Sequence, residues 1–258
     1  RRITCNRSSN RLAYAHLSRR HVLKAGSSCQ AAAATRRGLD QVFAMSVTLS
    51  NRELKRLRNA EALFYSYELL RISHESMWPA CCSIPVDNSS VFTALASCWT
   101  FIDSLHRIRE IAQGAPGINS KSAEMRSFLE ATAPAASYRH YIQHLRREVT
   151  KDPPDAAPVY GSIAWVDPDD SQLCHTAILG VGIAAQSSTS CVFDTQENRW
   201  VSKVALGVAG HSFNFDPMWA KAEEARAYLL PLLTYEAPIQ WPPPVLPIFS
   251  ARFDLRKP

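Results

Sequence analysis

A chain of 258 residues, 46% of them hydrophobic, can bury one large core or two small ones, which argues against a fibrous or wholly disordered protein. The formal charge of +6 is unevenly placed: residues 1–44 carry nine Arg and Lys against one acid, Asp40, leaving 20 basic and 22 acidic side chains beyond, so overall basicity is no argument for a nucleic-acid partner. No run reaches the ~20 apolar residues of a membrane span, and seven irregularly spaced cysteines with one vicinal pair and no C-x-x-C resemble neither a disulfide framework nor a zinc site, which points to a reducing, cytoplasmic setting.

Residues 1–44 are rich in Arg, Ser and Ala. Within them Ser18-Arg19-Arg20-His21-Val22-Leu23-Lys24 resembles a twin-arginine export signal, yet Arg36-Arg37 arrives before an apolar core has formed. An organellar transit peptide fits the composition too, as does a disordered or non-native arm upstream of a natural start at Met45.

Organised periodicity begins after Met45. Ser50 with Glu53 three residues later has the capping-box pattern, and Leu54, Leu57, Phe64, Tyr67 and Leu70 mark one face of a helix predicted to run to about Met77. Pro79 and Pro85 are expected to bracket a loop holding Cys81 and Cys82. Asn88, Ser89 and Ser90 offer caps for a second helix, Val91 to Gln113, closed by Gly114-Ala115-Pro116-Gly117. Its first half has an apolar face of Phe92, Leu95, Ala96 and Trp99; along the same direction its second half turns polar with Asp103, His106 and Glu110, while Phe101, Leu105, Ile108 and Ala112 are apolar on the opposite side. Polar groups at that spacing on a central helix need partners. A short helix over 120–133 follows, and then one over Ala135 to Lys151, opened by Pro134 and ended by Pro153-Pro154.

Beyond the linker 151–158 the signals are those of strands, over 159–166, 173–185, 189–194 and 199–208, with connections short enough for an antiparallel meander. Gly180-Val181-Gly182 lacks the third glycine and the following helix of a phosphate loop and reads as a strand glycine or bulge. Cys174-His175 and His211 have no second pair at ligand spacing and read as structural. A helix from Asp216 to about Leu233 follows, with Trp219, Ala222, Ala225, Arg226 and Leu229 on one face, and Trp241 to Pro247 should be extended polyproline II. The expected class is thus α+β: a basic arm (1–44), an antiparallel four-helix bundle (45–151), and a small antiparallel β-meander with one C-terminal helix and a proline-rich tail (152–258).

One stretch carries candidate chemistry. In the helix over 135–151, Tyr138, Tyr141, Ile142, Leu145 and Val149 form an apolar stripe, with Arg139 and Arg146 about 90° to one side, His144 about 120° to the other and His140 nearly opposite. Arg139, four residues and His144, with polar His140 directly after the arginine, resembles the R-x(4–6)-H motif of the HEPN family. That resemblance implies an all-helical, usually dimeric domain, in many members a metal-independent ribonuclease. It casts Arg139 and His144 as catalytic, the arginine stabilising charge on the scissile phosphate and the histidine moving a proton at the ribose 2′-hydroxyl. His140 and Arg146 would then contact substrate, and Asp103 or Glu110 would orient or charge-balance the site. No cofactor and no metal are implied. The partners expected are a second copy of the chain and RNA; the alternative is a non-catalytic helical protein with a β appendage that works through protein contacts or binds a small ligand.

Overall fold

In the computed structural model the described residues are 50–151, 158–180, 192–194 and 196–234. The expectations for the basic arm, the glycines beyond Gly180 and the proline-rich tail lie outside them. The described residues form a mixed fold of six helices and a four-stranded antiparallel sheet, ending on a helix.

Helix α1 (Asn51–Ser83) starts where its cap places it: Ser50 Oγ accepts from the Glu53 amide at 3.3 Å, and the Ser50 amide donates to Glu53 Oε2 at 2.7 Å. Its buried side is Ala60, Leu63, Tyr67, Leu70, Met77 and Cys81, the alternating three-and-four spacing of a helix packed along another helix. Helix α2 (Ser90–Gly114) answers with Ala94, Cys98, Phe101, Leu105, Ile108 and Ala112. The Ser76 and Ser97 hydroxyls meet at 3.0 Å while Ala62 shares a groove with Ile111, so the two helices run antiparallel. The expected face of α1 is shifted, since Leu54 is 44% exposed, and the first-half face of α2 loses to the opposite one, leaving Phe92 72% exposed. Asp87, rather than a Ser89 side-chain cap, holds the turn into α2, accepting from the Ser89 amide at 2.9 Å.

The loop expected at Pro79 is helix. A proline inside a helix costs about 3 kcal/mol, mainly through the lost hydrogen bond to the carbonyl four residues back. Here that carbonyl belongs to exposed Glu75, where water can serve it, while the next turn buries Met77 and Cys81 completely. Full burial of one methionine contributes about 1.5–3 kcal/mol, and the Trp78 indole adds a hydrogen bond to the Val166 carbonyl at 3.0 Å. Packing therefore carries the helix to Ser83.

Helix α3 (Ala123–Ala131), capped by Ser122, buries Met125 and Phe128 and lies against the last helix. The single helix expected over 135–151 is two pieces, α4 (Pro134–Gln143) and α5 (Leu145–Val149), with His144 out of helical geometry at φ −105°, ψ 25°. Ala135 and Tyr138 tie α4 to the core, whereas α5 buries nothing and so gives no reason to continue the same helical register.

The sheet comprises β1 (Ser162–Val166), β2 (Cys174–Ile178), β5 (Val204–Val208) and β6 (His211–Asn214), in the order β2-β1-β5-β6 with every pair antiparallel; β3 (Phe193–Asp194) and β4 (Arg199–Trp200) form a separate hairpin. The chain order of a simple meander is broken because β5, Val-Ala-Leu-Gly-Val, is buried throughout and takes a central place beside β1. One sheet face (Ile163, Trp165, Val204, Leu206, Val208) joins the helices in one core; the other (Ala164, Ala205) is covered by Val192 and Trp200. Gly161 lets β1 start this close to β5: at φ +83° a Cβ there would meet the Gly207 carbonyl oxygen at a contact no side chain can make. The strand missed by pattern, β6, follows a two-residue turn of Ala209 and Gly210, both at positive φ as such hairpins require.

Helix α6 (Phe215–Thr234) packs on α1 and α3, and the Tyr67 hydroxyl donates to the Ala222 carbonyl at 3.0 Å. Phe101, Tyr138, Phe213 and Phe215 make an aromatic junction of α2, α4, β6 and α6, with successive ring centres 5.0–5.2 Å apart. Helices and sheet thus share a core, and of the anticipated four-helix bundle the α1–α2 pair is the principal helix contact, with α4 lying against α2.

Candidate functional site

The placement of α4 begins with Tyr138. Its ring is buried at the aromatic junction, and its hydroxyl lies 3.0 Å from the Leu206 carbonyl and 2.7 Å from that of His211. This fixes the rotation of the helix, so the next residue, Arg139, projects about 100° around toward α2. There Arg139 Nε donates to Asp103 Oδ1 at 3.0 Å, while the other oxygen of Asp103 takes Arg107 Nη2 at 2.6 Å. One carboxylate thus holds two guanidinium groups. With Asp103 36% exposed, each pair is worth no more than about 1 kcal/mol of stability, so the consequence is orientation.

The groove in front of these groups, about 400 Å³, is walled by Ala62, Tyr65, Ser66 and Leu69 of α1, by His106, Arg107, Glu110 and Ile111 of α2, and by Arg139. His106 is its least exposed ionisable side chain, at 14%, with Nε2 3.7 Å from Glu110 Oε1 and Nδ1 wholly buried without a partner. Burial first, and then the positive charge of Arg139, push its pKa below the ordinary histidine value, outweighing Glu110 and Asp103, which act the other way. Held below the ordinary histidine value of about 6.5, the unprotonated imidazole is the favoured form at pH 7. A neutral base beside two fixed cations suits a reaction in which an anion gains charge and a hydroxyl loses its proton.

Of the residues singled out in the sequence, the structure brings Arg139 and Glu110 to the walls of this groove, with Asp103 bonded to Arg139 and Arg107 but not itself a wall. His140, His144 and Arg146 are not among its walls. His140 and His144 are exposed at the α4–α5 break, their ring centres 4.3 Å apart, and Arg147 Nη2 lies 3.3 Å from His140 Nε2. Arg146 is exposed on α5, where its carbonyl accepts from the Thr150 hydroxyl at 2.8 Å. Sequence reasoning gave no catalytic part to His106 and none at all to Arg107. The signal was present in the polar positions 103, 106 and 110 on an otherwise apolar helix.

Two other histidines have structural partners. His74 Nε2 lies 2.8 Å from Asp216 Oδ1, with the ring stacked on Trp219; Asp216 also accepts from the Lys203 amide at 2.7 Å and stands in the first turn of α6. His175 stacks on Trp165 and meets Asp167 Oδ2 at 2.5 Å across the β1–β2 turn. Cys81 and Cys98 are buried thiols, that of Cys81 pushed up to about 12 by burial, whereas Cys82 is half-buried and Cys174 exposed. Among the described residues no cluster of three or more His, Cys, Asp or Glu is placed to hold a metal ion, and no helix is long and apolar enough to cross a membrane.

Compared with known protein families, curated proteins and solved structures, the chain gives no match.

Proposed function

We propose that the protein is a metal-independent ribonuclease and that the groove between α1, α2 and α4 is its active site. The observation that carries this reading is a largely buried imidazole, His106, in the same groove as two arginines set by one carboxylate, with burial and Arg139 holding its pKa below the ordinary value. Arg139 keeps the phosphate-binding part that the HEPN resemblance implies. The proton-moving part passes to His106, because His144 stands outside the groove walls. In this mechanism His106 takes the proton of a ribose 2′-hydroxyl, whose oxygen bonds to phosphorus. The bond from phosphorus to the 5′-oxygen breaks, that oxygen takes a proton from solvent, and the products are a 2′,3′-cyclic phosphate and a 5′-hydroxyl. Arg139 and Arg107 offset the charge that builds on the phosphate oxygens, and Glu110 stabilises the imidazolium. A cytoplasmic setting belongs to the same proposal.

The full chain should then cleave single-stranded RNA in EDTA. His106→Ala and Arg139→Ala should each lower the rate by about a hundredfold or more while leaving the thermal unfolding transition in place. Cleavage that persists in both variants, or RNA left whole by the wild type, removes the reading.

A second reading has its own observation. Tyr65, Leu69 and Ile72, spaced i, i+4 and i+7 along α1, are 41%, 44% and 54% exposed beside the groove. An apolar stripe there supports a helical interaction surface, including a homodimer seam, and sedimentation of the wild type against Leu69→Lys tests it: an unchanged monomer in both would end it.

A further inference from the structure

The α4–α5 elbow follows the groove directly along the chain, Arg139 of the groove and His140 of the elbow being consecutive residues. Three side chains capable of carrying positive charge gather there around His140: its ring lies beside that of His144, with centres 4.3 Å apart, and its Nε2 lies 3.3 Å from Arg147 Nη2. A guanidinium has no lone pair to offer, so this contact requires His140 to be the acceptor, and all three groups remain open to solvent. Counter-charge is sparse. Arg139 is held by Asp103, and between residues 140 and 151 the cations Arg146, Arg147 and Lys151 face one acid, Glu148, which is already shared by Arg147 and Lys151. With His140 neutral at this contact, Arg147 brings the charge, and its guanidinium beside two exposed rings suits an anion with several acceptor oxygens.

We infer that the elbow is a second phosphate-binding site, taken by a phosphate of the same RNA strand that lies in the groove, with Arg147 as its principal donor and His140 and His144 beside it. The inference rests on the groove reading only for the path of the strand. It also replaces Arg146 by Arg147 as the arginine that contacts substrate outside the groove. RNA recognised in this way must extend at least one phosphate beyond the cleaved bond.

The test is binding of uncleavable 2′-O-methyl oligonucleotides to the full chain, followed by fluorescence anisotropy over a series of salt concentrations. For an eight-nucleotide strand, Arg147→Ala should weaken affinity about tenfold and reduce the salt slope by about 0.7, the value of one released counterion on a single strand. A dinucleotide, with one phosphate, should bind wild type and Arg147→Ala alike. The paired substitution His140→Gln with His144→Gln should weaken the longer strand alone, by a smaller factor. Arg147 is 63% exposed, so the variant folds as the wild type does. Equal affinities and slopes for wild type and Arg147→Ala on the long strand would overturn the elbow site, whatever the cleavage assay shows. A length-dependent loss without any RNA cleavage would leave the elbow standing and remove only the chemistry of the groove.

Discussion

The two ends of α4 differ in what holds them. At the N-terminal end Ala135 and Tyr138 are buried, and Tyr138 bonds two carbonyls of the sheet region, so Arg139 is presented from a fixed base. At the other end His144 leaves helical geometry and the following turn buries no side chain. An arginine and a histidine five residues apart therefore need not form one site, because the core dictates the direction of the first and not of the second. Arg139 finds its chemical partners on α2, far away in sequence, and His144 finds neighbours on its own elbow.

That contrast is most easily broken at the anchor. Tyr138→Ala removes a buried ring from the aromatic junction and the hydroxyl proton shared between the Leu206 and His211 carbonyls, and it should cost about 3–5 kcal/mol of unfolding free energy in urea. Val149→Ala, on the unburied side of the break, should cost less than about 0.5 kcal/mol. Similar losses for the two would mean that α5 is held as firmly as α4, and the distinction between fixed and open ends would fail.

A smaller effect is expected within the groove. Asp103→Asn keeps the size of the side chain but removes the charge that sets Arg107 and Arg139 together. Stability should move by under about 1 kcal/mol, as the ion pairs are part-exposed. RNA cleavage should fall about tenfold, with kcat changing more than KM, and Asp103→Glu should recover part of it. A loss of stability with cleavage unchanged would make Asp103 a structural group with no part in positioning Arg139 for the reaction.

What could be read from the sequence follows the same division. Ser50 with Glu53 and the Gly114-Ala115-Pro116-Gly117 break are local signals, settled by hydrogen bonds within a few residues, and they mark elements close to where these lie. Pro79 and His144 mislead because distant packing decides them: Met77 and Cys81 carry α1 through a proline, and the lack of anything buried beyond Gln143 ends α4 before its pattern does. The strand order was hidden for a like reason, as β5 is placed by needing cover on both faces. In the site, Asp103 and Glu110 were legible as polar positions awaiting partners. His106 was not legible as a base, because its burial and the nearness of Arg139 exist only once α4 is docked.

The smallest expected effect is on the pH dependence of stability, and it tests whether His106 is as enclosed as its place implies. Burial and Arg139 lower its pKa in the folded protein, so the unfolded chain binds the proton more readily. The contribution is complete above the ordinary histidine value of about 6.5, declines as the pH falls through it, and levels off below the folded pKa, where both states are protonated. His106→Asn should therefore flatten the fall of unfolding free energy just below pH 6.5, relative to wild type. His144→Asn, at the exposed elbow, serves as the control on the same helix pair. If the His106→Asn curve parallels the wild type throughout that window, the imidazole is as free to ionise as a solvated one, and a group in that state has no claim to be the neutral base of the groove at a pH where RNA would be cut.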